Sequence, residues 1–173
     1  VSFSGGWLLN NYYKVPDNSP NSIVTNLVRP FDKYTIDNLS HAALPREKIV
    51  IEHLILENDG FKSYLFSISL DPTLDEKPKK RVTGLINIPS GDGPFPVVVM
   101  FRGYVDQKLY ETGDGTRRAA EYFARGGFVT ISPDFLGYAG SDAEADNIFE
   151  ARFQTYTTAL VLLESIKQSY EKI

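Results

Sequence analysis

The chain has 173 residues, 42% hydrophobic and 23% charged, with a net charge of −4, an ordinary balance for one globular domain with a sizeable core. The acidic charge argues against a nucleic-acid surface, which needs a basic stripe, and the lack of cysteine excludes disulfides, thiolate zinc sites and cysteine nucleophiles. No apolar run reaches the ~20 residues of a membrane span.

The opening Val1-Ser2-Phe3-Ser4-Gly5-Gly6-Trp7-Leu8-Leu9 has neither an initiator methionine nor a basic segment. It reads as the remainder after a signal peptide or anchor was removed, which would place the protein outside the cell or on a membrane; the compartment itself stays open. Residues 1–45 are expected to form a loop-rich N-terminal arm, broken by Pro16, Pro20 and Pro30. One short helix is predicted near Thr35 to Ala43, with Asp37 and Ser40 as candidate caps.

From Lys48 the pattern changes. Ile49, Ile51, His53 and Ile55 alternate with Val50, Glu52, Leu54 and Leu56, which predicts a strand with one well-buried face. Phe61 to Leu70 alternates again, with Tyr64, Phe66, Ile68 and Leu70 on one side. The basic run Lys77-Pro78-Lys79-Lys80-Arg81 reads as a solvated hairpin loop. Arg81 to Ile88 makes a third strand, closed by the turn cluster Pro89-Ser90-Gly91-Asp92-Gly93-Pro94. Three strands joined by short polar loops predict an antiparallel meander.

Pro96 through Phe101 is instead an unbroken apolar run, which predicts a parallel strand buried on both faces. Thr116 to Arg125 reads as a helix with Ala119, Ala120, Phe123 and Ala124 inward, ended by a left-handed cap at Gly126-Gly127. Phe128 to Ile131 is a second buried strand. From Ala145 to Gln168, Phe149, Phe153, Tyr156, Leu160 and Leu163 recur at spacings of four and three, predicting a long amphipathic helix. The fold class is therefore α/β: an antiparallel meander leading into a parallel β-α-β-α unit.

Three motifs stand together in this order: Pro96 to Tyr104, then Tyr122-Phe123-Ala124-Arg125-Gly126-Gly127-Phe128, then Pro133-Asp134-Phe135-Leu136-Gly137-Tyr138-Ala139-Gly140-Ser141. Over roughly residues 80 to 165 the chain resembles the α/β-hydrolase superfamily, specifically its prolyl-oligopeptidase and dienelactone-hydrolase-type members. The resemblance implies that residues 46–173 are the N-terminal half of an α/β-hydrolase domain. It also implies a serine hydrolase, a peptidase or an esterase, in which the Tyr104 backbone amide is one oxyanion donor and Arg102 and Gly103 support the oxyanion loop. Gly103 is the residue that lets the backbone turn there.

The family's histidine before the glycine is Arg102 here. Three roles stand open for it: ordering the loop by bonds to carbonyls or to Asp134, binding a substrate carboxylate, or marking a relative that has lost catalysis. Asp134 reads as a structural hydrogen-bond acceptor rather than a catalytic acid.

No Gly-x-Ser-x-Gly occurs in the sequence. The resemblance places the nucleophile elbow, and with it all three members of the Ser-Asp-His triad, beyond Ile173. They would come from a C-terminal half in the same or a second chain, and this chain by itself is not expected to be active. The only histidines, His41 and His53, are isolated from one another, so neither a metal nor another cofactor is expected. Gly113-Asp114-Gly115-Thr116 lacks the lysine of a phosphate loop and reads as a flexible approach to the helix. A non-catalytic binding module built on the same half-sheet is the competing reading. A dinucleotide-binding domain ranks last, because no Gly-x-Gly-x-x-Gly follows the first buried strand.

Overall fold

A computed structural model describes residues 29–170. The opening segment expected to follow a removed signal peptide or anchor, the prolines and asparagines of the arm before Arg29, and the last residues Glu171 to Ile173 lie outside the described residues. The body is a five-stranded mixed sheet: β1 (Ile49–Asn58), β2 (Phe61–Leu70), β3 (Lys80–Pro89), β4 (Val97–Val99) and β5 (Val129–Pro133), in the spatial order β1-β2-β3-β5-β4. The first three strands pair antiparallel, β3 pairs antiparallel with β5, and β4 pairs parallel with β5. Helices α1 (Ile36–His41), α2 (Arg117–Arg125) and α3 (Ile148–Tyr170) complete the fold, so the meander followed by β-α-β-α stands as expected.

The two faces of the sheet differ in chemistry. Phe66, Ile68, Leu70, Val82, Ile86 and Ile131 form one apolar face and pack with Val161 and Leu162 of α3. The opposite face, toward α2, carries small buried polar groups: Ser63, Thr83, Asn87, Thr130 and Ser132. Asn87 donates to Thr130 Oγ1 at 3.0 Å, and Thr130 Oγ1 in turn lies 3.5 Å from the Ala120 carbonyl, while Asn87 Oδ1 and Ser132 Oγ find no partner among the described residues.

The edges correct two expectations. β1 has no well-buried face: Val50, Ile51, Leu54, Ile55 and Leu56 are each 41–48% exposed. It is an edge strand, and two register shifts, between Ile51 and Leu54 and between Leu54 and Leu56, kink it away from a regular ladder. β4 is not a central strand buried on both sides. It is three residues long, half-buried, and forms the opposite edge, with Phe101 47% exposed beyond it. An apolar hollow of about 560 Å³ remains on the α3 side, among residues including Ile51, Ile86, Ile88, Val129 and Ile166.

The helices follow local rules with one surprise. Thr35, not Asp37 or Ser40, caps α1: its hydroxyl accepts from the Asn38 amide at 3.3 Å. In α2 only Ala120 and Ala124 are buried, while Ala119 and Phe123 are exposed. Its end is a Schellman motif. Gly127 takes φ +86°, the Phe128 amide reaches the Phe123 carbonyl at 3.1 Å, and the Phe123 and Phe128 rings meet edge-on at 5.8 Å.

α3 begins later than predicted, where Asn147 Oδ1 accepts from the amides of Phe149 and Glu150. Its buried face is Gln154, Thr157, Thr158, Val161, Leu162 and Ser165. Phe149 and Tyr156 of the predicted stripe point outward instead. The polar members are partly satisfied by the chain itself: Thr157 donates to the Pro72 carbonyl at 2.5 Å and Ser165 Oγ accepts from the Glu47 amide at 2.9 Å. The aromatic stripe is used on its flank, where Tyr34 stacks on Phe153 with ring centroids 5.0 Å apart and Phe31 lies 5.6 Å from the same ring. No helix among the described residues is long and apolar enough to cross a membrane.

The basic run is only partly a solvated loop. Lys80 and Arg81 open β3, and Arg81 Nη2 donates to both Glu52 carboxylate oxygens at 2.7 and 2.9 Å while Nη1 donates to the Gly140 carbonyl. The loop before it is organised by Asp71, which accepts from the amides of Thr73, Asp75 and Lys77 and from the Thr73 hydroxyl. Burial works to raise the Asp71 carboxyl, but those hydrogen bonds outweigh it and hold the group below its ordinary value of 3.8. A carboxyl depressed in the folded state stabilises above its unfolded value, and that contribution is lost as pH falls through the folded value. Asp71→Asn is therefore expected to destabilise the chain by about 1–2 kcal/mol at pH 7. The gap from wild type should close below about pH 3.8 in urea titrations run across pH. A gap independent of pH would show that the carboxylate is not the source.

Candidate functional site

Because β4 and β5 run parallel, both of their C-terminal ends open at the same end of the sheet, where ligand crevices of open α/β sheets form. The loop after β4 carries Phe101, Arg102, Gly103 and Tyr104 and runs on to α2; the loop after β5 carries Asp134 to Asp142. Asp134 joins the two. Its side chain is fully buried, at 0% exposure. Its carboxylate accepts from Thr83 Oγ1 at 2.6 Å, Tyr110 Oη at 2.8 Å, Thr112 Oγ1 at 3.0 Å and the Gly113 amide at 3.3 Å. Burial first, then the charge of Asp134 and the hydrogen bond to it, push the Tyr110 hydroxyl well above its ordinary range, so it stays a donor. With every oxygen so engaged, Asp134 has no lone pair left for proton transfer. Gly113 and Thr116, expected in a flexible approach, are buried parts of this anchored loop.

Arg102 reaches the same junction from β4. Nη1 donates to the Gly103 carbonyl and Nη2 to the Asp134 carbonyl, both at 3.0 Å. The guanidinium lies 3.7 Å from the Tyr138 ring centroid and 4.6 Å from that of Tyr110, and these two rings meet edge-on at 5.1 Å. Its Nε is buried and finds no hydrogen-bond partner among the described residues. Tyr138 Oη closes the ring of contacts by donating to the Val105 carbonyl at 3.2 Å.

The loop after β5 is pinned to β3. Ser141 Oγ accepts from the Thr83 amide at 2.9 Å, and Asp142 Oδ2 accepts from the Arg81 amide at 2.6 Å. Phe135 takes φ +68°, a strained conformation for a bulky residue that costs on the order of 1–2 kcal/mol. Burial of its ring, tilted 6.0 Å from Phe101, offsets that cost.

Tyr104 is 87% exposed at the mouth of this end of the sheet, and among the described residues no group accepts from its amide. Gly103 has φ outside the left-handed region and open space where a Cβ would stand, so sterics do not require glycine there. His41 ends α1, where its Nδ1 lies 2.8 Å from the Asp37 carbonyl oxygen, and His53 is exposed in β1. Neither lies on the two loops. Among the described residues, no cluster of three or more His, Asp or Glu could hold a metal. Tyr110, Thr112, Tyr138 and Thr83, the groups that hold Asp134 and Arg102, carry no spacing signal that marks them in the sequence.

No protein-family model matches the chain, and no curated protein matches it. Among solved structures it is similar to acetyl xylan esterase 1 from Thermoanaerobacterium sp. JW/SL YS485, at 18% identity over 69% of this chain and 35% of that one, with a TM-score of 0.46. It is also similar to a ligand-bound form of the rice cell wall degrading esterase LipA from Xanthomonas oryzae, at 18% identity over 62% and 31%, with a TM-score of 0.37. The chain thus spans about a third of the length of the solved structures it matches.

Proposed function

We propose that this chain is the N-terminal part of a serine hydrolase of the α/β-hydrolase type, acting on ester or peptide bonds. In this reading it supplies the Tyr104 backbone amide as one oxyanion donor. The nucleophile, acid and base come from a C-terminal part in the same or a companion chain. The observation that carries the reading is the Tyr104 amide itself. Among the described residues it has no acceptor, and it lies just past the end of β4, in a loop held by Arg102 and Asp134. A fixed, unspent N–H at the carboxyl end of a parallel strand is the kind of donor that stabilises a developing oxyanion. Among the described residues β4 is a sheet edge with no strand on its outer side, which leaves room for the strand that would carry the serine.

The test is intact mass spectrometry of the full-length protein, with and without a fluorophosphonate probe, followed by assays on an aryl acetate and a chromogenic peptide. The expected result is one labelled serine outside these 173 residues. Absence of label would overturn the reading in favour of a binding module. In an enzyme that labels, Tyr104→Pro removes the amide hydrogen and is expected to lower kcat by about 10²–10³-fold with KM little changed. Tyr104→Ala keeps the amide and should retain most of the activity.

A further inference from the structure

We propose that β1 is the pairing edge for a second copy of this chain, joined antiparallel about a twofold axis between Glu52 and His53, so that two five-stranded sheets become one. The inference stands apart from the catalytic reading, which makes no use of β1. An edge strand presents unpaired amides and carbonyls, and chains commonly blunt such an edge with proline or lysine. β1 contains neither, and its Val50, Ile51, Leu54, Ile55 and Leu56 are all exposed.

The order of the residues says that the partner is the chain itself. From Lys48 to Glu57 the sequence is self-complementary when laid antiparallel on its own copy. Lys48 then meets Glu57, Ile49 meets Leu56, Val50 meets Ile55, Ile51 meets Leu54 and Glu52 meets His53. Acid falls on base and apolar on apolar throughout. A slip of one residue sets Glu52 against Glu52 with Ile51 against His53, or His53 against His53 with Glu52 against Leu54. Like charges and polar-on-apolar pairs across strands are unfavourable, so one register is selected.

A regular strand would forbid that register. A twofold axis perpendicular to the sheet keeps each face on its own side, and residues opposite one another must share a face. In a regular strand Ile51 and Leu54 point to opposite faces. The first register shift of β1 removes the conflict. Ile51 pairs with Phe66 and Leu54 with Tyr64, so one extra residue is taken up between them, and both lie on the face that Phe66 and Tyr64 turn to the core. The bulge falls at Glu52 and His53, on the proposed axis. The second shift carries Leu56 to the other face, opposite Ser63, so the ladder runs no further than Val50 to Ile55. Lys48 and Glu57 then flank it with opposite charges. A ladder this short makes a reversible dimer of the weaker class. The axis also turns the second copy's β4–β5 crevice to the opposite end of the joint sheet, so neither copy covers the other's Tyr104.

The experiment weighs the full-length protein by light scattering and native mass spectrometry at about 10–100 μM. Wild type is expected to carry two copies of this chain per particle and to dissociate on dilution, with a dissociation constant in the micromolar range. His53→Glu sets a carboxylate against Glu52 of the second copy, and Glu52→Lys sets an ammonium against His53. Each is expected to weaken the dimer about tenfold or more, because the change is repeated on both sides of the axis. An equal mixture of the two variants sets the new lysine against the new carboxylate and keeps Glu52 against His53, so a heterodimer of near wild-type affinity is expected. Glu52 also holds Arg81, so circular dichroism checks the fold of Glu52→Lys. Should that variant not fold, Ile55→Lys replaces it, with loss of the dimer expected from a charge set against Val50. A wild-type protein that is monomeric at about 100 μM overturns the proposal. So does a dimer that His53→Glu or Ile55→Lys leaves intact, or a pair of folded charge variants that do not recombine.

Discussion

Replacing Asp134 by alanine is expected to cost the chain about 3–5 kcal/mol, read as the shift in urea midpoint at unchanged slope. The side chain is fully buried and takes four hydrogen bonds, from Thr83, Tyr110, Thr112 and the Gly113 amide. Alanine would leave those donors facing a void, and each buried donor without a partner costs about 1–3 kcal/mol. The sum is not reached, because Thr83 Oγ1 already lies 3.2 Å from Ser141 Oγ and has somewhere to turn. Asp134→Asn separates charge from shape. Its amide nitrogen, set toward Thr83 and Thr112, meets two hydroxyls that can rotate and accept, while its oxygen keeps Tyr110 and Gly113. The asparagine variant is therefore expected to lose only about 1–2 kcal/mol. Equal losses for the two variants would mean that the ionised group, rather than the pattern of donors and acceptors, holds the loops.

The same residue shows where sequence reasoning succeeds and where it stops. Asp134 reads as an acceptor because the resemblance, carried by local motifs, places it in a loop that holds no triad member. Its partners come from β3 and from the loop before α2, separated from it by 51 and 21–24 residues, and no periodicity links them. β2, β3, β5 and α2 were legible for the same local reason: alternation, apolar runs and the Gly126-Gly127 stop.

Position in the sheet was not. β1 and β4 are as apolar as central strands, yet both are edges, because burial depends on what pairs beside them and not on their own composition. α3 inverts the usual inference. Its aromatic stripe suits a core, but the face that meets the sheet includes Thr157, Thr158 and Ser165, small groups that let the helix sit close, while Phe153 serves the packing of Phe31 and Tyr34.

Gly84→Ala is the second large effect, about 3 kcal/mol of destabilisation. Glycine inside a strand is unfavourable by itself, so its presence in the middle of β3 calls for a close approach. Gly84 pairs with Phe66 on one side and Pro133 on the other. A Cβ there would stand 2.3 Å from the Ser132 carbonyl oxygen and 2.4 Å from Phe66 Cε1. The ring is a side chain and can retreat toward the core; the carbonyl is backbone and can move only if β5 moves. Adding Phe66→Leu to Gly84→Ala should therefore recover only part of the loss, after allowing for what Phe66→Leu costs alone. Full recovery would show that the ring was the whole obstacle. Partial recovery would show that β5 has been pushed, and because Asp134 follows Ser132 by two residues, the push should reach the junction that holds Arg102 and Tyr104. If the full-length protein takes the fluorophosphonate label, the Gly84→Ala variant is then expected to lose kcat in excess of the fraction unfolded, although Gly84 touches neither loop.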